Sequence, residues 1–278
     1  MIGPPLALRL EGNACRREAS AGREAGRVPA SFAVAREIAV FTEARAYEVT
    51  WHRHPAWKLV LPLGGGVRVG ESAGAGVLVP PQYAHVCAAS SVFVAVFVEP
   101  WCLRADPTAP TWLDGRTVRR LLDAMSGGGA GGVTDMEALR AEVASFAGLR
   151  TGVDQRVPYA VRACAQAARI DAVAAELGLS PARLRALVAA EVGIPLATLR
   201  QWGRLRAAFG SLVGRGEAGG AGGIGDVGGV GGARGGIGVE RGKGIAEAAA
   251  EAGFADQAHL TRAARRFIGR TPGSVDRR

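Results

Sequence analysis

His52 and His54 stand two residues apart in Trp51-His52-Arg53-His54-Pro55, and His85 closes Val79-Pro80-Pro81-Gln82-Tyr83-Ala84-His85. On a strand, residues i and i+2 share a face, so both rings point the same way. A third histidine from a later strand meets them if the strands close into a barrel. Three imidazoles so placed suit a transition metal. They equally suit hydrogen bonding at a barrel mouth or in a ligand pocket. Lys58, four residues beyond His54, brings a cation that opposes a metal ion. The reading is therefore a metal-free pocket, with Trp51, Trp57 and Tyr83 nearby. His52, His54, Lys58 and His85 are then the candidate ligands of a small aromatic or anionic effector.

A second set of polar side chains sits on a duplicated framework. Ile170-Asp171-Ala172-Val173-Ala174-Ala175-Glu176-Leu177-Gly178-Leu179 is echoed by Ile245-Ala246-Glu247-Ala248-Ala249-Ala250-Glu251-Ala252-Gly253-Phe254. In each copy an alanine four residues before a glycine leaves room for a second helix to cross closely. The glycine supplies the positive φ that ends the first helix. That combination is what a helix-turn-helix requires. The second helices begin at capping residues, Ser180 followed by Pro181 in one copy and Asp256 in the other. Leu184, Leu187, Val188 and Val192 form one apolar stripe, and Leu260, Ala264, Phe267 and Ile268 the other, with Gly193 and Gly269 as stops. The stripes leave Ala182, Arg183, Arg185 and Ala186, and Gln257, His259, Thr261 and Arg262, facing outward. Arginine pairs bidentately with guanine and glutamine with adenine, so both faces are fit to read a major groove. Arg200, Arg204, Arg265 and Arg266 are read as phosphate contacts or internal ion-pair partners.

The elements that must position these groups follow from changes of period along 278 residues. Residues 1–30 lack periodicity and are read as a poorly ordered leader. Residues 31–106 carry short β-prone runs such as 46–51, 58–61, 77–79 and 92–98, separated by glycine and proline, which predicts a small antiparallel barrel or sandwich. Residues 107–152 turn helical, with Val118, Leu121, Leu122 and Met125 on one stripe and Leu139, Val143, Phe146 and Leu149 or Arg150 on another. These read as connecting helices able to dimerise. Residues 153–278 form the helical part, interrupted by a glycine-rich insertion at 214–244 whose composition does not pack a core.

Bulk properties narrow the classes. The excess of Lys+Arg over Asp+Glu, 34 against 25, falls mostly in residues 151–278, with 18 basic and 11 acidic side chains. The basic half is thus the half suited to a polyanion. Cys15, Cys87, Cys102 and Cys164 have no ligand-like spacing and read as reduced thiols. No signal segment or apolar run of about 18 residues is present, which predicts a cytoplasmic protein with no membrane partner. No nucleophile–base–acid set, phosphate loop or dinucleotide fingerprint is found, so no catalytic residue, cofactor or metal is assigned.

The C-terminal pattern resembles the AraC/XylS family of transcription regulators. Carrying the resemblance are Ala174, Gly178-Leu179-Ser180-Pro181, Leu184, Gly193-Ile194, Arg204, Ala208, Gly253-Phe254-Ala255-Asp256-Gln257, Leu260-Thr261-Arg262, Phe267, Gly269 and Thr271-Pro272. The resemblance implies an α+β protein: a cupin-like β-barrel with following helices, then an all-α domain of two helix-turn-helix units joined by a long helix. That helix, about 196–213, would be a strut of roughly 27 Å, near one turn of DNA. The histidine segments likewise resemble the two cupin motifs, except that metal-binding cupins place a glutamate where Lys58 stands. Implied partners are double-stranded DNA, a small-molecule effector, RNA polymerase and a second copy of the chain; activation and repression both stay open. Two departures stand out. The insertion precedes the second unit, and Ala186 and Val188 replace the arginine and aromatic residue common in the family. The rival reading is a metal-dependent cupin enzyme with a helical tail, against which Lys58 and the duplication argue. A third is an architectural DNA binder lacking an effector.

Overall fold

In the computed structural model the described residues are 31–35, 37–43, 45–126, 135–166, 169–213 and 244–274. The leader at 1–30 and all but the last residue of the tract at 214–244 lie outside them. Ten strands come first: β1 (Ser31–Ala35), β2 (Ile38–Glu43), β3 (Tyr47–His52), β4 (Trp57–Pro62), β5 (Val67–Val69), β6 (Ser72–Gly74), β7 (Gly76–Val79), β8 (His85–Ala89), β9 (Phe93–Val98) and β10 (Thr111–Leu113). They form two antiparallel sheets, ordered β1-β2-β9-β4-β7-β10 and β3-β8-β5-β6. The larger sheet reaches past residue 106, because β10 pairs with β7.

Residues of opposite parity on the larger sheet serve two cores. Phe41, Val60, Val77, Ala95 and Phe97 face the smaller sheet's Val49, Val67, Val69 and Cys87, filling the barrel. Their neighbours Val40, Leu59, Leu61, Leu78, Val94 and Val96 face outward. A sheet buried on both faces needs continuous apolar strands, which is why β4 and β9 show no polar alternation beyond Lys58. The outward face is covered by α1 (Gly115–Ser126) and α2 (Met136–Ala147). Val118, Leu121 and Met125 of α1 and Leu139, Val143 and Ala147 of α2 are buried there. The two stripes expected to join the domains or to dimerise are thus spent on the barrel's own sheet.

The remaining helices are α3 (Arg156–Ala165), α4 (Ile170–Glu176), α5 (Pro181–Val192), α6 (Leu196–Val213), α7 (Ile245–Glu251) and α8 (Gln257–Ile268). Both tight turns have the expected stereochemistry. Gly178 and Gly253 adopt φ of 65° and 74°, and Leu179 N and Phe254 N donate back to Ala174 O and Ala249 O. Ala174 and Ala249 are fully buried at the helix crossings. The first unit builds a core from α3, α4, α5 and the start of α6, around Val161, Val173, Leu184, Val188 and Leu199. The second does not stand apart. Ala249, Phe254, Leu260, Ala264 and Phe267 share one core with Trp202, Leu205 and Phe209 of α6 and with the barrel interior.

Candidate nucleic-acid interface and sensor site

The second helix of each helix-turn-helix unit, α5 and α8, begins at a side-chain cap. The Ser180 hydroxyl accepts from Arg183 N at 3.2 Å, and the Asp256 carboxylate accepts from His259 N at 2.6 Å. The caps satisfy backbone donors that the first helical turn leaves unpaired. Beyond them Ala182, Arg183, Arg185 and Ala186 are exposed on α5, and Gln257 and Arg262 are exposed on α8. His259 and Thr261 are half-buried. The His259 ring stands edge-on to Phe254, with centroids 5.1 Å apart, and its Nε2 lies 3.4 Å from the Gln201 amide. Val188 is fully buried in the first unit's core, where it packs and reads nothing.

Arg185 and Ala186 of α5 and His259 of α8 open onto one cleft of about 560 Å³, floored by Arg200, Gln201 and Arg204 of α6. Its charge is that of a phosphate-binding groove. Arg204 Nη1 donates to Gly253 O at 2.8 Å, and burial lowers the Arg204 pKa, assisted by Arg200. Gln201, absent from the sequence-based set, bridges toward α8 through His259 and through Arg266 Nη1, 3.5 Å from its Oε1. Helical spacing on α6 was the available signal for it.

The barrel residues divide into two groups. His52 at the end of β3 pairs in register with His85 at the start of β8, and the ladder is shifted between Val49 and His52. Such irregularities re-aim side chains. His52, His54 and His85 meet, with ring centroids 4.2–5.9 Å apart. Burial, reinforced by neighbouring cations, lowers the pKa of His52 to about 2 and of His85 to about 4, and that of His54 well below its usual value. All three are therefore neutral at pH 7. Gln82, held at φ 61°, donates its backbone N–H to His54 O at 2.7 Å and ties the second motif to the first.

Lys58 faces a separate cavity of about 60 Å³ between the barrel and α6, lined among others by Phe41, Phe97, Trp202 and Arg206. Its pKa is lowered by burial, and its Nζ lies 5.9 Å from the Phe97 ring centroid. Two buried ion pairs cross the same boundary, Arg206 with Glu99 and Arg270 with Glu43. Burial raises the Glu99 pKa against the pull of Arg206. The strand β3 also touches the end of α8 through its backbone. Thr50 N and Oγ1 donate to Gly269 O at 3.2 and 2.8 Å, and Arg53 N donates to Arg266 O at 3.2 Å.

No family model matches the sequence, and no curated protein matches it either. Solved structures do. A variant of apo ToxT from Vibrio cholerae strain SCE256 is 10% identical, covers 86% of this chain and 96% of its own, and has a TM-score of 0.50. ToxT of V. cholerae O395 is 11% identical, with 86% and 95% coverage and a TM-score of 0.50. The O395 protein bound to (E)-4-(8-methylnaphthalen-1-yl)but-3-enoic acid is 10% identical, with 86% and 97% coverage and a TM-score of 0.50. Nearly the whole length of each ToxT chain is matched, strands and helices together. The chain thus has the fold of ToxT, an N-terminal β domain continued by a helical domain that carries two helix-turn-helix units.

Proposed function

We propose that this protein is a sequence-specific DNA-binding transcription regulator of the AraC/XylS type. In this reading α4–α5 and α7–α8 are the DNA-reading units and the barrel is the sensor. The observation that carries it is the pair of capped helices α5 and α8 opening on one arginine-lined cleft. Arg185 and Arg262 supply bidentate donors for guanine and Gln257 the matching pair for adenine, while Arg200 and Arg204 serve the phosphates between them. Contact with RNA polymerase, self-association and action in the cytoplasm belong to the same reading.

The effector proposed is a compact carboxylic acid with an apolar body. Supporting it are the aromatic walls and the Lys58 and Arg206 cations of the cavity between barrel and α6. The ToxT structure with a naphthyl-butenoic acid shows that a protein of this fold holds such a molecule. A volume of about 60 Å³ holds little more than water. Entry of an effector therefore requires the barrel and α6 to part, which ties occupancy to the placement of the reading helices.

The test is selection of genomic fragments by the full chain in moderate salt, beside the double variant Arg185→Ala/Arg262→Ala. The expected result is a motif of two half-elements about 10 bp apart, lost in the variant. No enrichment over random fragments would overturn the regulator reading.

A further inference from the structure

The cleft between the two helix-turn-helix units has a composition that a DNA backbone alone does not account for. Leu196, Arg200 and Arg204 of α6 line it at a spacing of four, so they form one stripe of the helix about 12 Å long. Around Leu196 the lining is apolar, through Ile170 of α4 and Ala189 of α5. Beyond it the lining turns cationic, and Arg185 of α5 adds a third guanidinium. Among the described residues that line the cleft none is Asp or Glu, and Arg185, Arg200 and Arg204 make no ion pair.

The Nε atoms of Arg200 and Arg204 are buried without a hydrogen-bond partner among the described residues. Arg204 Nη1 is already committed to Gly253 O, and a methyl group on Gly253 would lie 3.2 Å from the guanidinium carbon. Two buried cationic donors one helical turn apart call for an anionic acceptor. Phosphate, with three acceptor oxygens and up to about two charges, meets both. In the regulator reading that phosphate belongs to DNA. A duplex, however, presents only sugar and phosphate there and has no apolar body to set against Ile170, Ala189 and Leu196. The volume of about 560 Å³ is that of a small-molecule pocket, for which about 300–1,000 Å³ is usual.

We propose that this cleft binds one free nucleotide, its phosphates on Arg200 and Arg204 and its base toward Leu196, and that the nucleotide competes with DNA for the same guanidiniums. The planar Arg185 guanidinium stacks on a base as readily as it pairs with one. Arg204 also holds the Gly253 turn, and Gln201 beside it reaches His259, so an occupant of the cleft fixes the second unit against α6. The nucleotide site stands without the regulator reading, and only the competition rests on it.

The experiment is calorimetric titration of the full chain, without DNA and in moderate salt, with ADP, GDP, adenosine and inorganic pyrophosphate. Expected is one equivalent of at least one nucleotide, bound at least about 10-fold more tightly than pyrophosphate because the base stacks, with no uptake of adenosine. Arg200→Gln/Arg204→Gln should abolish binding. Ala186→Glu places a carboxylate on the cleft wall at an exposed position of α5, where folding tolerates it, and should weaken binding at least about 10-fold. Ala186→Gln, of the same size without the charge, should weaken it far less. No uptake of either nucleotide, pyrophosphate bound as tightly as nucleotide, or an affinity that the two Ala186 variants change alike overturns the site. Competition is read by titrating the selected duplex into nucleotide-saturated protein. A several-fold weaker DNA affinity supports it, and an unchanged affinity overturns the competition alone. A chain that binds nucleotide and selects no DNA keeps this site and loses the regulator reading.

Discussion

Gly193 and Gly269 end α5 and α8 with nearly the same backbone, at φ of 74° and 71°. Their surroundings differ. A Cβ at Gly193 meets nothing within 4 Å, whereas one at Gly269 falls 2.6 Å from Thr50 O and 3.0 Å from the Val49 side chain. Gly193→Ala should therefore cost only the left-handed penalty, about 1–2 kcal/mol. Gly269→Ala adds overpacking against a strand fixed in a sheet, for a total of about 2–5 kcal/mol. Urea unfolding of both variants checks this, and equal losses would mean that β3 yields freely to the helix end. The same pair shows that two positions alike in sequence can serve different purposes. Gly193 stops a helix, while Gly269 also lets a domain dock.

The two helix-turn-helix units are duplicates in sequence yet differ as elements. α5 packs into a core built by α3–α6 with Trp101 from the segment after β9, whereas α8 is a wall of the barrel core. Leu184 and Phe267 are each about fully buried, one in each core. Phe267 stands edge-on to Trp202, which stands edge-on to Phe97 of β9. Leu184→Ala should cost about 2–5 kcal/mol and Phe267→Ala about 3–5, but in different places. Hydrogen exchange should rise in α3–α5 for Leu184→Ala, with the strands unchanged. For Phe267→Ala it should rise in β2, β9 and α6 as well as α8. If both variants loosen the same helices alone, α8 is not part of the barrel core.

At the scale of the molecule, the buried pair Glu43–Arg270 ties β2 to the chain beyond α8, with the Arg270 guanidinium 4.8 and 5.0 Å from the ring centroids of Phe41 and Tyr47. Removing one member of a buried pair leaves the other charge uncompensated, typically at about 3–5 kcal/mol. Glu43→Gln should destabilise the whole protein by that order, and Glu43→Gln/Arg270→Met should recover most of it. A loss under about 1 kcal/mol by denaturant unfolding would mean that Arg270 finds another partner or escapes to water. Arg206–Glu99 makes a second such tie, so barrel and helices should melt together.

Local pattern was enough for the parts of this protein that local pattern builds. Ala174 with Gly178, Ala249 with Gly253, and the caps Ser180 and Asp256 were legible because helix crossings, left-handed turns and caps are set by residues a few positions apart. The strands at 47–52, 57–62, 76–79 and 93–98 were legible from apolar runs bounded by glycine and proline. β1, β2, β5, β6, β8 and β10 were not singled out, being short or weakly marked. That the barrel and the second helix-turn-helix unit share one core was decided only in three dimensions, because Phe41, Trp202 and Phe267 are brought together by packing and not by spacing. The histidines were visible as residues from the start. Their meeting in one buried cluster depends on the register of β3 with β8. Register is a property of paired strands, and no single strand's sequence contains it.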